Sequence, residues 1–367
     1  MRTFDIVDNG GDLWYNFDMN NVRSVPNENN DDGIIISSAS NVFYLCGYDC
    51  GGDGTIVSSN GKTVLFTDRR YTEEAARRVN AGVEVIDGGL PEIAAFFREN
   101  GAKRISFEAE AVSCAEYTRL KDAISGVEFV PTVGAVEKLR AVKSSRELAR
   151  IADAQKITDK VFEEILPLIK EGITEYELAA KLEYAIRSKG AELAFDSIVA
   201  FGTNGSSPHA HRSAAVLKKG DLVTMDFGAK LDGYCSDMTR TVACGYVNDA
   251  QRSAYGAVLE ANTLCVAKIR AGMTCREADS LARERLKMHG LDGYFVHSLG
   301  HGVGIDIHEA PYLSQRSDEV LTEGNVVTVE PGVYLEGLFG IRIEDMVVVK
   351  DGCCIDLTGS DKDLIIL

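Results

Sequence analysis

Two aspartates, Asp226 and Asp237, stand in apolar segments on either side of a predicted hairpin turn. Asp232-Gly233, between those segments, is typical of a tight two-residue turn. A loop at Leu231-Asp232 would place the aspartates directly opposite each other, whereas a loop at Asp232-Gly233 would make them diagonal neighbours on one face. Either register brings two carboxylates together, which is costly unless a cation lies between them or one stays protonated. A divalent metal ion is the simplest explanation.

Two glutamates, Glu330 and Glu344, repeat this arrangement nearer the C-terminus. Each adjoins an apolar strand-like segment, and the turn between the segments contains Gly337. A three-residue loop at that turn would place Glu330 opposite Glu344. Pro331-Gly332 could instead introduce a bulge that changes the register. The sequence therefore offers a second candidate carboxylate pair and leaves its register open.

Three histidines, His297, His301 and His308, lie in a glycine-rich segment. The spacing of the first two resembles the histidine pair of helical zinc proteases. However, three glycines around His301 argue against a helix, and no glutamate follows His297. Glycine-rich backbone around a histidine instead indicates close approach to a metal or a substrate.

Each of these residues also has an ordinary structural explanation when taken alone. A single acidic residue in a strand usually faces solvent, and a single histidine is usually structural. Four carboxylates in apolar strands, together with a glycine-rich histidine cluster, are harder to explain in that way. A ligand set made mostly of oxygen favours Mn²⁺ or a similar hard ion over structural zinc.

The predicted elements that must position these residues fall into two groups. Short apolar strands alternate with helices from about residue 32 to near Val136, which predicts an α/β domain. Predicted helices at 144–168, 174–190 and 249–289 then combine with mainly antiparallel strands, which predicts an α+β domain.

We accordingly divide the 367 residues into three segments: an irregular lead-in at 1–31, an N-terminal domain at 32–137 and a catalytic domain at 138–367. All six histidines fall between positions 209 and 308, so the chemistry belongs to the last segment.

Composition excludes several classes of function. A formal charge of -17 without a long basic block argues against nucleic-acid binding. No apolar run is long enough for a membrane helix, and the acidic start of the chain is unlike a signal peptide. Nine scattered cysteines fit reduced thiols, so we expect a cytoplasmic protein.

Five motifs, in order along the chain, resemble those of the pita-bread metallopeptidases, the family of aminopeptidase P, prolidase and methionine aminopeptidase. They are Met225-Asp226-Phe227-Gly228, Ser236-Asp237-Met238-Thr239-Arg240-Thr241, Gly300-His301-Gly302-Val303-Gly304, Val329-Glu330-Pro331-Gly332 and Arg342-Ile343-Glu344-Asp345. Residues 32–75 resemble the creatinase-type N-terminal domain, and residues 139–367 resemble the pita-bread catalytic domain. The resemblance thus implies a creatinase-like α/β domain followed by an α+β pita-bread domain.

The resemblance implies two divalent metal ions, with Mn²⁺ expected first and Co²⁺ or Zn²⁺ as alternatives. Asp226 would bind one ion, His301 and Glu330 the other, and Asp237 and Glu344 would bridge both. In the family such a pair acidifies a shared water and polarises the scissile carbonyl. Glu330 would accept the proton of that water.

Other residues match family positions outside the metal ligands. His209 and His308 match histidines that contact the substrate, and His297 matches one found in proline-specific members. Arg342 and Tyr334 match residues that support the bridging carboxylates. His211 and His289 match no family position and are treated as structural.

The resemblance predicts an Xaa-Pro aminopeptidase, which cuts between an N-terminal residue and a following proline. That bond is a tertiary amide without an N–H, so it requires a dedicated enzyme. A prolidase, specific for Xaa-Pro dipeptides, is the alternative. Some prolidases carry a basic residue where this chain has Tyr312, and its absence favours longer substrates.

Three further relatives are less consistent with the sequence. Methionine aminopeptidase commonly lacks an N-terminal domain, and creatinase lacks the metal ligands that are complete here. A non-catalytic peptide-binding relative is a remote alternative, since such proteins typically lose ligands. The expected partner is a peptide with proline at its second position, with no nucleic acid or membrane, and the expected assembly is a homodimer.

Overall fold

The computed structural model describes residues 31–367, which form two compact units divided between Arg140 and Ala141. Apart from Asp31, the predicted lead-in at 1–31 lies outside the described residues. Among the residues described, no helix has both the length and the apolar character needed to cross a bilayer.

The first unit is an α/β domain, as predicted. Its strands are β1 (Gly33–Ile36), β2 (Thr55–Ser59), β3 (Lys62–Thr67), β4 (Val83–Asp87), β5 (Arg104–Glu108) and β6 (Glu128–Thr132). Its helices are α1 (Ala39–Cys46), α2 (Thr72–Arg78), α3 (Leu90–Glu99), α4 (Cys114–Ala123) and α5 (Glu137–Ala141), which ends at the division. The strands form one mixed sheet in the order β4-β3-β2-β1-β5-β6. Its core includes Ile35, Val57, Phe97 and Ile105.

The second unit contains four long helices. They are α6 (Ser145–Ile165), α7 (Glu175–Ser188), α8 (Asp249–Lys268) and α9 (Cys275–Met288). Each begins with a capping box, in which a Ser, Thr or Asn side chain caps the helix and a Glu or Gln three residues on bonds back. The first helix was predicted to run to Leu168. It stops earlier because Pro167 has no N–H to donate, and a 3₁₀ turn covers Leu166–Leu168.

The strands of this unit pair antiparallel throughout, which confirms the α+β prediction. They are β7 (Glu192–Leu193), β8 (Ile198–Phe201), β9 (Leu222–Phe227), β10 (Ala229–Leu231), β11 (Tyr234–Cys235), β12 (Met238–Ala243), β13 (Gly300–Gly302), β14 (Glu309–Leu313), β15 (Val326–Val329), β16 (Gly332–Leu335), β17 (Phe339–Arg342), β18 (Asp345–Val349) and β19 (Cys354–Asp356).

The second unit is built from two similar halves. Helices α6 and α7 have 21 and 14 residues, and α8 and α9 have 20 and 14. The caps of α7 and α9, Thr174 and Thr274, each form an isolated bridge, with Val216 and Val320 respectively. Each helix pair packs on its own apolar core. Each half contributes one of the two carboxylate-bearing hairpins.

The first hairpin turns at Asp232-Gly233. Both residues have positive φ, +48° and +83°, as a type I′ turn requires. This turn selects the second of the two registers allowed by the sequence: Asp226 lies opposite Thr239, and Asp237 is its diagonal neighbour.

The second hairpin has the predicted three-residue loop, since Leu335 pairs with Phe339. The same register continues beyond Pro331, where Val329 pairs with Asp345. The proline divides the ladder into two parts, β15–β18 and β16–β17, without shifting the register. Glu330 and Glu344 face each other in the gap, which confirms that prediction.

Candidate active site

Asp237, His301 and Glu344 form the centre of the candidate site. Each offers one ligand atom, and these atoms lie within 4.8 Å of one another. Glu330 adjoins them, with Oε1 3.4 Å from His301 Nε2. Asp226 stands on β9, diagonal to Asp237. The five residues predicted as metal ligands therefore come together from five different strands or strand junctions.

Ionising all the carboxylates of this cluster without a cation is unfavourable, because they are buried and repel one another. Burial and the neighbouring Glu344 and Asp226 raise the pKa of Asp237 well above its usual range. Burial and Glu330 do the same to the pKa of Glu344. Burial raises the pKa of Glu330 to about 8. A divalent cation among these groups would offset the repulsion.

Two carboxylate oxygens show directly that the cluster fits a metal. Oδ1 of Asp226 and Oδ1 of Asp237 are buried and have no hydrogen-bond partner among the described residues. Buried polar atoms are nearly always bonded, so an unpartnered pair facing one site is expected where a cation binds. Carboxylate oxygen with one imidazole nitrogen is a donor set suited to Mn²⁺ and similar ions.

His301 is oriented to offer a lone pair to this cluster. Its Nδ1 lies 3.1 Å from the Gly302 carbonyl, which can only accept, so Nδ1 carries the proton and Nε2 is left unprotonated. Burial lowers the pKa of His301 to about 4, so the ring is neutral. Its backbone N–H donates to Thr328 Oγ1, which donates to Glu330 at 3.1 Å.

Arg342 connects the ligands to the surrounding polar residues. Its Nη2 donates to Asp226 Oδ2 at 2.6 Å, and its Nη1 donates to Tyr334 Oη at 2.6 Å. Tyr334 donates to His297 Nε2 at 2.9 Å, because His297 Nδ1 is bonded to the Ser298 carbonyl. Burial, with Arg342 nearby, lowers the pKa of His297 to about 3. A chain of hydrogen bonds therefore leads from Asp226 to a neutral His297.

Thr239 is a site residue that the sequence analysis missed. Its Oγ1 donates to Glu344 Oε2 at 2.6 Å and accepts from Arg342 Nε at 2.9 Å. One hydroxyl thus orients a predicted bridging carboxylate and the guanidinium that holds Asp226. Its position opposite Asp226 points to this role, but that position is known only once the hairpin register is known.

A cavity opens over the cluster and is lined by both polar and apolar side chains. The apolar side consists of Phe195, Ile198, Pro208 and Ile307. His209, His297 and His308 also line it, and the His308 ring lies 4.2 Å from that of His301. Nine of the ten residues predicted for the site therefore line this cavity. The tenth, Tyr334, bonds to His297, which lines it.

Two histidines and one tyrosine lie apart from the cavity lining. His289 contacts Glu260 at 2.9 Å near the end of α9, and His211 is exposed. Neither histidine lines the cavity, and their structural role stays a prediction. Tyr312 is paired with His301 across β13–β14, yet its half-exposed side chain does not line the cavity.

Comparison with known families identifies this arrangement. Residues 149–351, more than half of the chain, match metallopeptidase family M24. The chain belongs to the M24 metallopeptidases. Residues 19–142 match the creatinase/prolidase N-terminal domain, a longer stretch than residues 32–75, on which the resemblance rested.

Individual M24 proteins are similar over most of the chain. An uncharacterized Bacillus subtilis peptidase, YqhT, is 44% identical over 92% of this chain and 96% of its own. The structure of an Xaa-Pro dipeptidase from Bacillus anthracis has a TM-score of 0.89 and 41% identity, covering 92% of this chain and 95% of that one. An X-Pro aminopeptidase from Thermotoga maritima has a TM-score of 0.87 and 36% identity, covering 92% and 98%.

Membership in M24 confirms the predicted two-domain fold and makes the chain a metal-dependent hydrolase. The family implies that divalent metal ions take part in the reaction. Its relatives carry both the aminopeptidase and the dipeptidase name, so membership does not decide between these activities.

Proposed function

We propose that the protein is an Xaa-Pro aminopeptidase with two divalent metal ions in the cavity of the second unit. The observation that carries this proposal is the buried cluster of Asp237, His301 and Glu344, with unpartnered oxygens on Asp226 and Asp237. Similarity to the Thermotoga maritima X-Pro aminopeptidase supports the substrate class.

In this proposal Asp226 would hold one ion, His301 and Glu330 would hold the other, and Asp237 and Glu344 would contribute to both. Mn²⁺ is the expected metal, with Co²⁺ or Zn²⁺ as alternatives. When bound, the ions supply an acidified water and polarise the scissile carbonyl. Glu330 would accept the proton of the attacking water, because its carboxylate adjoins His301 in the cluster.

The histidines on the cavity wall handle the substrate. His209 and His308 are exposed enough to reach a bound peptide and stabilise the developing charge on its carbonyl oxygen. Both ring nitrogens of His297 are engaged, by the Ser298 carbonyl and by Tyr334, so it presents a fixed, neutral ring to the substrate. The apolar wall at Phe195, Ile198 and Ile307 is suited to the proline ring.

The charges of the cavity favour substrates longer than a dipeptide. Among the described residues that line it, Arg342 is the only Lys or Arg, and its N–H groups are engaged by Asp226, Thr239, Tyr334 and the Pro208 carbonyl. A dipeptide brings its terminal carboxylate close to the acidic cluster, where an unpaired charge is costly. A longer peptide presents a neutral amide there.

An Xaa-Pro dipeptidase is the second candidate, favoured by the 41% identity to the Bacillus anthracis enzyme of that name. The deciding measurement is kcat/KM with Mn²⁺ for an Xaa-Pro dipeptide and for its one-residue extension at matched pH. We expect the tripeptide to be cut better. A preference for the dipeptide of about tenfold or more, which is about 1.4 kcal/mol, would make the protein a prolidase.

We further propose a cytoplasmic homodimer, with an N-terminal domain at 32–137 that does not carry the chemistry and a catalytic domain at 138–367. The scattered cysteines support the compartment, and all six histidines lie at 209–308, outside the first domain. Sedimentation equilibrium tests the assembly, and a single species of monomer mass would contradict it.

A non-catalytic peptide-binding role is disfavoured, since all five ligand residues are present and adjacent.

A further inference from the structure

Glu175, the first residue of α7, is a fully buried carboxylate whose described hydrogen-bond partners are all neutral. Its Oε1 accepts from the Phe201 N–H at 2.7 Å and from Asn204 Nδ2 at 2.9 Å. Its Oε2 accepts from the Ser213 N–H and Oγ, both at 2.7 Å, and again from Asn204. The positive end of the α7 dipole stabilises the charge.

These donors lie at the two ends of one irregular segment. Residues 202–206 form a 3₁₀ turn and residues 207–213 have no regular structure, and Pro208 and His209 on this segment line the cavity. Asn204 also donates to the His211 carbonyl at 3.1 Å. Glu175 therefore joins the two ends of the segment that carries His209 and ties them to α7. Two further contacts hold the segment between these ends: Arg212 pairs with Glu183 of α7, and Arg342 donates to the Pro208 carbonyl.

A carboxylate suits this position better than any other side chain. Its oxygens only accept, so they satisfy backbone N–H, hydroxyl and amide donors together. A glutamine of the same shape would turn an NH₂ group towards one of those donors. Glu177, two residues further along α7, provides the contrast: it bonds Thr174 at the helix start and has no described contact with the 201–213 segment.

We propose that Glu175 is a positioning residue for His209: it holds both ends of the 201–213 segment so that the imidazole lines the cavity over the carboxylate cluster. This inference rests on the substrate contact assigned to His209 above. Glu175 touches neither the substrate nor the metals, so its loss alters turnover only through the segment it holds.

The test is a double-mutant cycle. Glu175→Gln should lower kcat between about tenfold and a hundredfold, as expected for a misplaced catalytic group, with metal content unchanged. In a His209→Ala background the same substitution should lower kcat by less than about twofold, because the group it positions is gone. Glu177→Gln, the matched control on α7, should stay within about twofold of the wild type in both backgrounds.

A second readout does not depend on activity. Trypsin can cut after Arg212, inside the segment, and release of the segment in Glu175→Gln should speed that cleavage at least about tenfold relative to wild type and Glu177→Gln. If Glu175→Gln does not fold, Asn204→Ala and Ser213→Ala remove single bonds to the carboxylate and enter the same two assays, with smaller effects in the same direction.

The outcomes separate this inference from the proposed function. A Glu175→Gln effect of equal size with and without His209 would overturn the positioning role and leave the proposed function intact. Unchanged trypsin cleavage at Arg212 would do so as well. A His209→Ala variant with wild-type kcat would overturn the role of His209 itself, and with it this inference.

Discussion

At the scale of a single residue, the Thr239 hydroxyl supports two groups of the site at once. Its hydroxyl is fully buried, donates to Glu344 and accepts from Arg342. Because the same atom serves both groups, its loss would loosen a proposed bridging carboxylate and leave the Arg342 Nε–H without its acceptor.

Thr239→Val should therefore lower metal affinity by about 10- to 100-fold, the usual effect of removing a partner behind a metal ligand. Titration against a competing chelator measures it. Thr239→Ser keeps the hydroxyl and is the matched control, with affinity close to wild type. Equal losses in both variants would mean that packing, and not the hydroxyl, is what matters at this position.

Asp237 and His209 should respond to substitution in opposite ways. Asp237→Asn removes the charge proposed to hold two cations together, so metal content should fall at one or both positions, and turnover with it. His209→Ala should retain its metals and lower kcat by roughly 10²-fold, as for loss of a donor to the developing oxyanion. Elemental analysis of both purified variants, alongside kcat, checks this. Equal loss of metal would contradict the assignment of His209 to the substrate side.

At the scale of elements, Gly228 allows the first hairpin to bring its aspartates together. It lies between β9 and β10, where a Cβ would stand 1.8 Å from the Ser236 carbonyl oxygen. That contact is with backbone, which has little freedom to move. A side chain here would push apart the strands that carry Asp226 and Asp237.

We expect Gly228→Ala to lower the unfolding free energy and the metal affinity, because the added Cβ would push apart the strands that carry Asp226 and Asp237. A loss of ~1–3 kcal/mol in unfolding free energy is typical of forced overpacking. Gly256→Ala is the matched control, because this helical glycine has no atom within 4 Å of the added Cβ. It should stabilise by ~1 kcal/mol. Denaturant unfolding with metal titration compares them, and a Gly228→Ala variant as stable as wild type would refute the close-contact argument.

The same elements show how far the sequence determines the site. The three-residue loop before Phe339 predicted the Glu330–Glu344 pairing but left a bulge at Pro331-Gly332 open. The structure has no bulge there, because Pro331 interrupts the ladder without adding a residue. The first hairpin stayed ambiguous, since Asp232 fits either turn and only its φ of +48° selects the register.

The roles of Thr239 and Glu175 could not be predicted from the sequence, for related reasons. The role of Thr239 depends on the residue opposite it, and hence on a register that the turn residues alone did not settle. Glu175 reads in the sequence as an ordinary acid in the first turn of a helix. Its partners lie 26 to 38 positions away along the chain, so only the folded structure brings them to it.

At the scale of the whole molecule, the two similar halves of the second unit explain why four carboxylates meet. Each half contributes a helix pair and a hairpin with two acids, so the site exists only when both halves are folded. Cations that bind between the halves should therefore stabilise the folded protein by mass action. We expect Tm to rise on adding Mn²⁺ to chelated protein and to rise less, or not at all, in Asp237→Asn.

The most direct test of the two-metal account is turnover of an Xaa-Pro-Xaa peptide by chelated and reconstituted protein, with metal content determined on the same samples. The account predicts that chelation abolishes activity and that Mn²⁺ or Co²⁺ restores it as about two ions bind per chain. Full turnover in protein shown by elemental analysis to be free of metal would contradict it.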